Sequence, residues 1–131
     1  MTYRLEFEMK GLSERTNEVL SMSLRRRMQR KKFWKQFVAA AVNAKKPKKP
    51  LKWAKVKFIR YSSQRPDFDG LVSSFKHILD GLVIAGILVN DKFENIGDPT
   101  YRWKQTKEKA GKMKILVEEM TEPPKEYEDE V

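Results

Sequence analysis

The hydrophobic period of this chain alternates between two and about 3.6 residues, and that switching limits the folds open to it. Tyr3, Leu5, Phe7 and Met9 alternate with Arg4, Glu6, Glu8 and Lys10, which reads as a half-buried strand closed by Gly11. Residues 12–20 are polar and read as a loop. Over residues 23–44 the spacing becomes helical. Leu24, Met28, Phe37, Ala41 and Val42 form one face, with Arg25, Arg26, Arg30, Lys31 and Lys35 over the rest. The run Lys45-Lys46-Pro47-Lys48-Lys49-Pro50 ends that helix, because proline cannot continue it or donate its backbone hydrogen bond. Residues 51–61 alternate again, with Ala54, Val56 and Phe58 opposite Lys55 and Lys57. Residues 70–85 return to helical spacing through Leu71, Phe75, Ile78, Leu79 and Leu82, with Gly86 as the stop. Two more strands are predicted at residues 95–105 and 112–120. The order β-α-β-α-β-β predicts an α+β fold: a single two-layer domain, with a mixed β-sheet and two main helices.

At 131 residues the chain is long enough for one domain with a real core. Cysteine is absent, which removes disulfides, thiolate catalysis and Cys-ligated zinc. His77 is the sole histidine, so a multi-His metal site is excluded. The net charge of +10 is unevenly spread. Residues 1–66 hold 19 Lys/Arg and 4 Asp/Glu, whereas residues 67–131 hold 9 and 14. A basic half joined to an acidic half fits a nucleic-acid binder whose acids serve another purpose. Part of that acidity is a tail over residues 121–131, expected to trail off a domain spanning 1–120. With no signal peptide and no 18-residue apolar run, the expected location is cytoplasmic, with no membrane partner.

The segment that carries chemistry runs from Arg65 to Asp91. Asp67 and Asp69 flank Phe68, so in extended backbone both carboxylates point to one side and Phe68 to the other. Lys76 lies in the following helix, and Asp91 beyond it can close the site from the other side. Carboxylates are the hard oxygen ligands that Mg2+ takes; the metal activates water, and Lys76 places a point charge on the phosphate or leaving oxygen. The same residues have a plainer reading: Asp69 as the N-cap of the next helix and Asp80 as a charge on its surface.

Taken whole, Arg65-Pro-Asp67-Phe-Asp69-Gly-Leu-Val-Ser-Ser-Phe-Lys76-His-Ile-Leu-Asp80-Gly-Leu-Val-Ile-Ala-Gly-Ile-Leu-Val-Asn90-Asp91 resembles the signature of the RusA-type Holliday junction resolvases. That family carries an Asp-x-Asp-Asn turn, a helix with a Lys, then Asp-x-Leu, Ala-Gly and an Asp-Asp pair. Asp67 and Asp69 match the paired acids, Lys76 the helix Lys, Asp80-Gly-Leu with Ala85-Gly86 the middle elements, and Asp91 the second acid of the last pair. Gly70 stands in place of the family's Asn, and Asn90 in place of the first acid of that pair. The Asp69-to-Lys76 spacing is three residues longer than in some members. The resemblance implies a homodimeric endonuclease that uses Mg2+, or Mn2+ in its stead. It would nick opposed strands of four-way DNA junctions, with Asp67, Asp69, Lys76 and Asp91 catalytic and the three acids holding the metal.

Such an enzyme needs a positive surface for phosphates. Lys45, Lys46, Lys48 and Lys49 form a basic arm, and Arg60, Arg65, Arg102 and Lys104 lie nearer the acids. Trp34, Trp53 and Trp103 suit either base stacking or core packing. His77 is expected to be half-exposed or packed. Some of the stripe Ile78, Leu82, Val83, Ile87 and Leu88 is available for a dimer interface, the rest for the core. The competing reading is a non-catalytic nucleic-acid-binding protein that uses the basic half, its acids serving only as caps.

Overall fold

Alternation in four segments becomes four paired strands, and the two helical patterns become the layer that covers them. The computed structural model describes residues 2–12 and 20–125. Most of the expected 12–20 loop and the tail beyond Lys125 lie outside the described residues. Strand β1 spans Arg4–Lys10, β2 Ala54–Ser62, β3 Thr100–Gln105 and β4 Lys112–Glu119. Helix α1 spans Leu24–Val42 and runs on into a 3-10 turn at Asn43–Lys45; α2 is Phe68–Ser73, α3 Lys76–Ile84 and α4 Phe93–Ile96.

The sheet order is β1-β4-β2-β3. β4 pairs antiparallel with both β1 and β2, while β2 and β3 run parallel, so the sheet is mixed. Register aligns the apolar positions: Leu5, Phe7 and Met9 face Val117, Ile115 and Met113, and Val56 and Phe58 stand opposite Val117 and Ile115. These side chains join Trp34, Val38 and Val42 of α1 and Ile78, Leu79 and Leu82 of α3 in one core. The α+β domain expected from the sequence is the one observed.

Several boundaries and one face differ from expectation, each for a physical reason. The helix expected over residues 70–85 is two helices. Ser73 Oγ donates to the Gly70 carbonyl at 3.2 Å and Ser74 Oγ to that of Leu71 at 2.8 Å, while the Phe75 amide bonds Val72 at 3.2 Å. Hydroxyls competing for carbonyls and an i-to-i−3 bond tighten the chain into a turn. Gly86 does end α3: its amide bonds Val83 and that of Ile87 bonds Leu82, the paired bonds of a Schellman motif. Residues 93–96 form a helical turn, so β3 starts at Thr100 rather than 95. Leu51 makes only an isolated bridge to Leu88, and β2 starts at Ala54.

On α1 the buried positions are Trp34, Val38 and Val42. Leu24 and Met28, expected to face inward, are 72% and 64% exposed. They share a side with Val38 and Val42 at 100° per residue, but their partner is too short. α1 has 19 residues and α3 has 9, or roughly 28 Å against 14 Å, so the first half of α1 overhangs. Where the two helices meet they are close: a Cβ on Gly81 would lie 3.0 Å from Val38 Cβ. Ile78, Leu82, Ile87 and Leu88 of the stripe offered for a dimer interface are all buried in the core, leaving Val83 half-buried.

Candidate active site and nucleic-acid interface

The acid pair sits where β2 hands over to α2. Ser62 is the last residue of β2, and three residues further on Arg65-Pro66 leads into Asp67. Asp67 has extended backbone and is the N-cap of α2, its Oδ1 accepting from the Gly70 amide at 3.1 Å. Capping therefore falls to Asp67 and not to Asp69, which lies in the first turn. Phe68 and Asp69 are helical rather than extended, so the alternation expected across Asp67-Phe68-Asp69 is replaced by helical spacing. Both carboxylates remain exposed, and the Phe68 ring is 66% exposed.

Lys76, at the start of α3, gathers a second group of acids. Its Nζ lies 3.2 Å from Asp80 Oδ1 and 3.7 Å from Asp91 Oδ2. Of the four residues expected in one site, Lys76 and Asp91 lie together, with Asp80 as a third member. Its i,i+4 spacing to Lys76 was the available signal. Asn90 turns its side-chain oxygen to the Asp91 amide at 2.8 Å, which fixes the loop and occupies the atom that a family acid would offer a metal. His77 is half-buried.

Beside Asp67 a cleft of about 520 Å3 opens between α2 and the edge strand β3. Arg65, Asp67, Phe68, Tyr101, Arg102 and Trp103 line it. The Arg65 guanidinium lies 5.8 Å from the centroid of the Trp103 ring, a cation–π contact. Trp103 Nε1 donates to Ser62 Oγ at 2.9 Å, and that hydroxyl donates to the Gln64 carbonyl at 2.7 Å, so the indole is held in place. Tyr101 stacks on Phe58 at 5.4 Å and Phe58 on Phe75 at 4.7 Å, an aromatic column from the core to the cleft. Burial, with Asp98 adding to it, pushes the Tyr101 phenol up, so it stays protonated at neutral pH. Phe68, expected to point away from the acids, lines the cleft with Asp67, and Tyr101 lines it too although neither spacing nor charge marks it in the sequence.

The basic residues divide into three sets. Arg65 and Arg102 are exposed and line the cleft, and Lys104, further along β3, is exposed too. Lys45, Lys46, Lys48 and Lys49 are exposed as well, but they precede β2 while Arg65 follows it, so the nine residues of β2, roughly 30 Å, separate the two groups along the chain. Arg60 departs from expectation: it continues the inward column of Val56 and Phe58 and is 5% exposed, so it does not belong to the phosphate-facing surface. Trp34 is buried in the core, and Trp53 and Trp103 are half-buried.

The donor set suits a hard divalent cation, since Asp67, Asp69 and Asp91 are carboxylates. Among the described residues no three acids or histidines stand close enough to hold a metal ion as a group. The acids form two subgroups instead: Asp67 with Asp69 at the start of α2, and Asp80 with Asp91 around Lys76. No helix among the described residues is long and apolar enough to cross a membrane. No protein-family model matches the chain, and no curated protein matches it closely enough to count as a relative.

Proposed function

We propose that this protein is a metal-dependent endonuclease acting on branched DNA. More narrowly, the ordered set Asp67, Asp69, Lys76 and Asp91 supports a RusA-type junction resolvase working as a homodimer in the cytoplasm. The observation that carries the reading is the company Asp67 keeps. An exposed carboxylate opens onto a cleft walled by Arg65, Arg102 and Trp103, in a chain with no acid anywhere from residue 20 to 66. Guanidinium groups on either side of an acid draw a phosphate to it despite the like charge.

On this reading Asp67 and Asp69 would offer Mg2+ two carboxylates, and the metal would supply an activated water and charge stabilisation. Asp91 stands beside Lys76 in the other subgroup and would join them only if the two subgroups close together on substrate. The chain's own part is positioning and electrostatics. Arg65 and Arg102 bind phosphates flanking the scissile bond, and the Asp67 cap keeps the start of α2 in register with them. Lys76, already drawn to Asp91, brings a positive charge to the acids, where a developing oxyanion is stabilised. The uncovered Leu24 and Met28 on the overhanging half of α1 support a second copy as partner.

A non-catalytic binder is the second reading, favoured by the capping role of Asp67 and by the split of the acids into two subgroups. A synthetic four-way junction incubated with the protein and Mg2+ or Mn2+ separates the two. Paired symmetric nicks are expected; tight binding with no cleavage at any metal concentration supports the binder.

A further inference from the structure

We propose that the cleft between α2 and β3 is a receptor for one unpaired nucleobase, so that the protein selects DNA by an unstacked base as well as by its phosphates. The inference deepens the nuclease reading and rests on it for the nature of the polymer. Its own grounds are separate.

First, the cleft has the size of a small-molecule site. Its volume of about 520 Å3 lies inside the usual range of roughly 300–1,000 Å3 for ligand pockets. Phosphate contacts alone need no concavity, since a backbone is bound as well by a flat basic surface.

Second, the walls carry flat π surfaces where a phosphate site would carry only cations. Phe68 is a large ring left 66% exposed one residue from Asp67, although packing it inward would remove apolar surface from water. Tyr101 and Trp103 stand on the opposite wall, on the edge strand. Both rings are set before any ligand arrives, Trp103 by its hydrogen bond to Ser62 and Tyr101 by its stack on Phe58. A receptor that is already ordered loses little entropy on binding.

Third, the polar groups at the rim suit a nucleotide rather than a free aromatic molecule. Arg65 and Arg102 are exposed, can take the phosphates on either side of a base, and present planar guanidiniums that stack on it. A base entering here would place its own phosphate beside Asp67, which joins recognition of an unpaired nucleotide to the proposed cleavage position. Perfect duplex has no base to offer the cleft, whereas a branch point offers one where a base pair at the crossing opens.

The test compares two DNA ligands by fluorescence anisotropy with divalent metal chelated, so that no cleavage intervenes. One is a duplex with a single unpaired thymidine; the other carries an abasic residue at the same place. The wild-type protein is expected to bind the unpaired thymidine tighter by on the order of tenfold, the scale of one base–aromatic stack. Phe68→Ala, a change at an exposed ring, should lose most of that preference and keep its affinity for plain duplex. Trp103→Leu should lose the preference as well, its folding checked by thermal melting. Equal wild-type affinities for the two ligands overturn the proposal, as does a preference that survives both substitutions. The nuclease reading is scored elsewhere: junction nicking without any base preference leaves it standing and removes the receptor. Base preference with no nicking under Mg2+ or Mn2+ does the reverse.

Discussion

Lys76 holds two carboxylates within 4 Å while its own side chain is 62% exposed. Ion pairs this open contribute about 0–1 kcal/mol, because water screens them and two flexible side chains must be ordered. The arrangement therefore adds little to stability, and a catalytic role would show up apart from any effect on folding. Lys76→Gln is expected to shift the melting temperature by no more than a few degrees, a change of about 1 kcal/mol or less. It should lower junction nicking by roughly 100- to 1,000-fold, the scale of losing one preorganised charge in a transition state. At this scale the sequence shows which charged residues are available and not how they stand. The order Asp67, Asp69, Lys76, Asp91 was legible because spacing is a property of the chain. That Asp67 caps α2 was not, since either acid is a good helix cap, and only the observed Asp67-to-Gly70 bond decides it. The burial of Arg60 could have been read by extending the inward alternation of Val56 and Phe58 by one step.

Elements were legible wherever one face is buried against a partner as long as itself. β1, β2 and β4 obey that rule, and their alternation predicted them to within a few residues. The overhang of α1 breaks it. Lys31 and Lys35 interrupt its apolar side between Met28 and Val38, and α3 covers only the half beyond them; the length of a tertiary partner is not written in the helix it packs on. The break between α2 and α3 turns on two serine hydroxyls reaching back to carbonyls, which a hydrophobic period does not register. A turn supplies the sharpest stability test among the elements. Gly111 precedes β4 with φ +65°, and a Cβ there would sit 2.7 Å from the Tyr61 carbonyl oxygen. Gly111→Ala combines left-handed strain of about 1–3 kcal/mol with that clash against backbone. A loss of at least about 2 kcal/mol is expected, read as a lower urea midpoint with an unchanged slope. Wild-type stability in the variant would mean that the turn is built differently.

Across the whole molecule the charge layout is what the proposed DNA binding rests on. Sixteen Lys and Arg and no acid lie between residues 20 and 66, along α1, the Lys45–Lys49 arm and β2. The arm and the cleft occupy opposite ends of β2, so one strand of DNA reaching both would be long, and junction arms suit the separation. Replacing Lys45, Lys46, Lys48 and Lys49 together by Ala should flatten the dependence of log affinity on log salt by up to about 3.6, near 0.9 for each phosphate no longer neutralised. It should also weaken junction and duplex binding alike, since backbone contacts carry no sequence information. An unchanged slope would assign the arm to solvent.

The central claim is that Asp67 is a reacting-site carboxylate as well as a helix cap, and one substitution separates the two roles. Asparagine caps a helix about as well as aspartate, so Asp67→Asn keeps the bond to the Gly70 amide while removing the charge. The decisive measurement is nicking and binding of a four-way junction by Asp67→Asn, with its melting temperature alongside. The account predicts an unchanged melting temperature, binding equal to or tighter than wild type because an acid no longer repels phosphate, and nicking reduced by on the order of 100-fold or more. A variant that nicks at the wild-type rate would make Asp67 a cap and nothing else, and would contradict the site proposed for this chain.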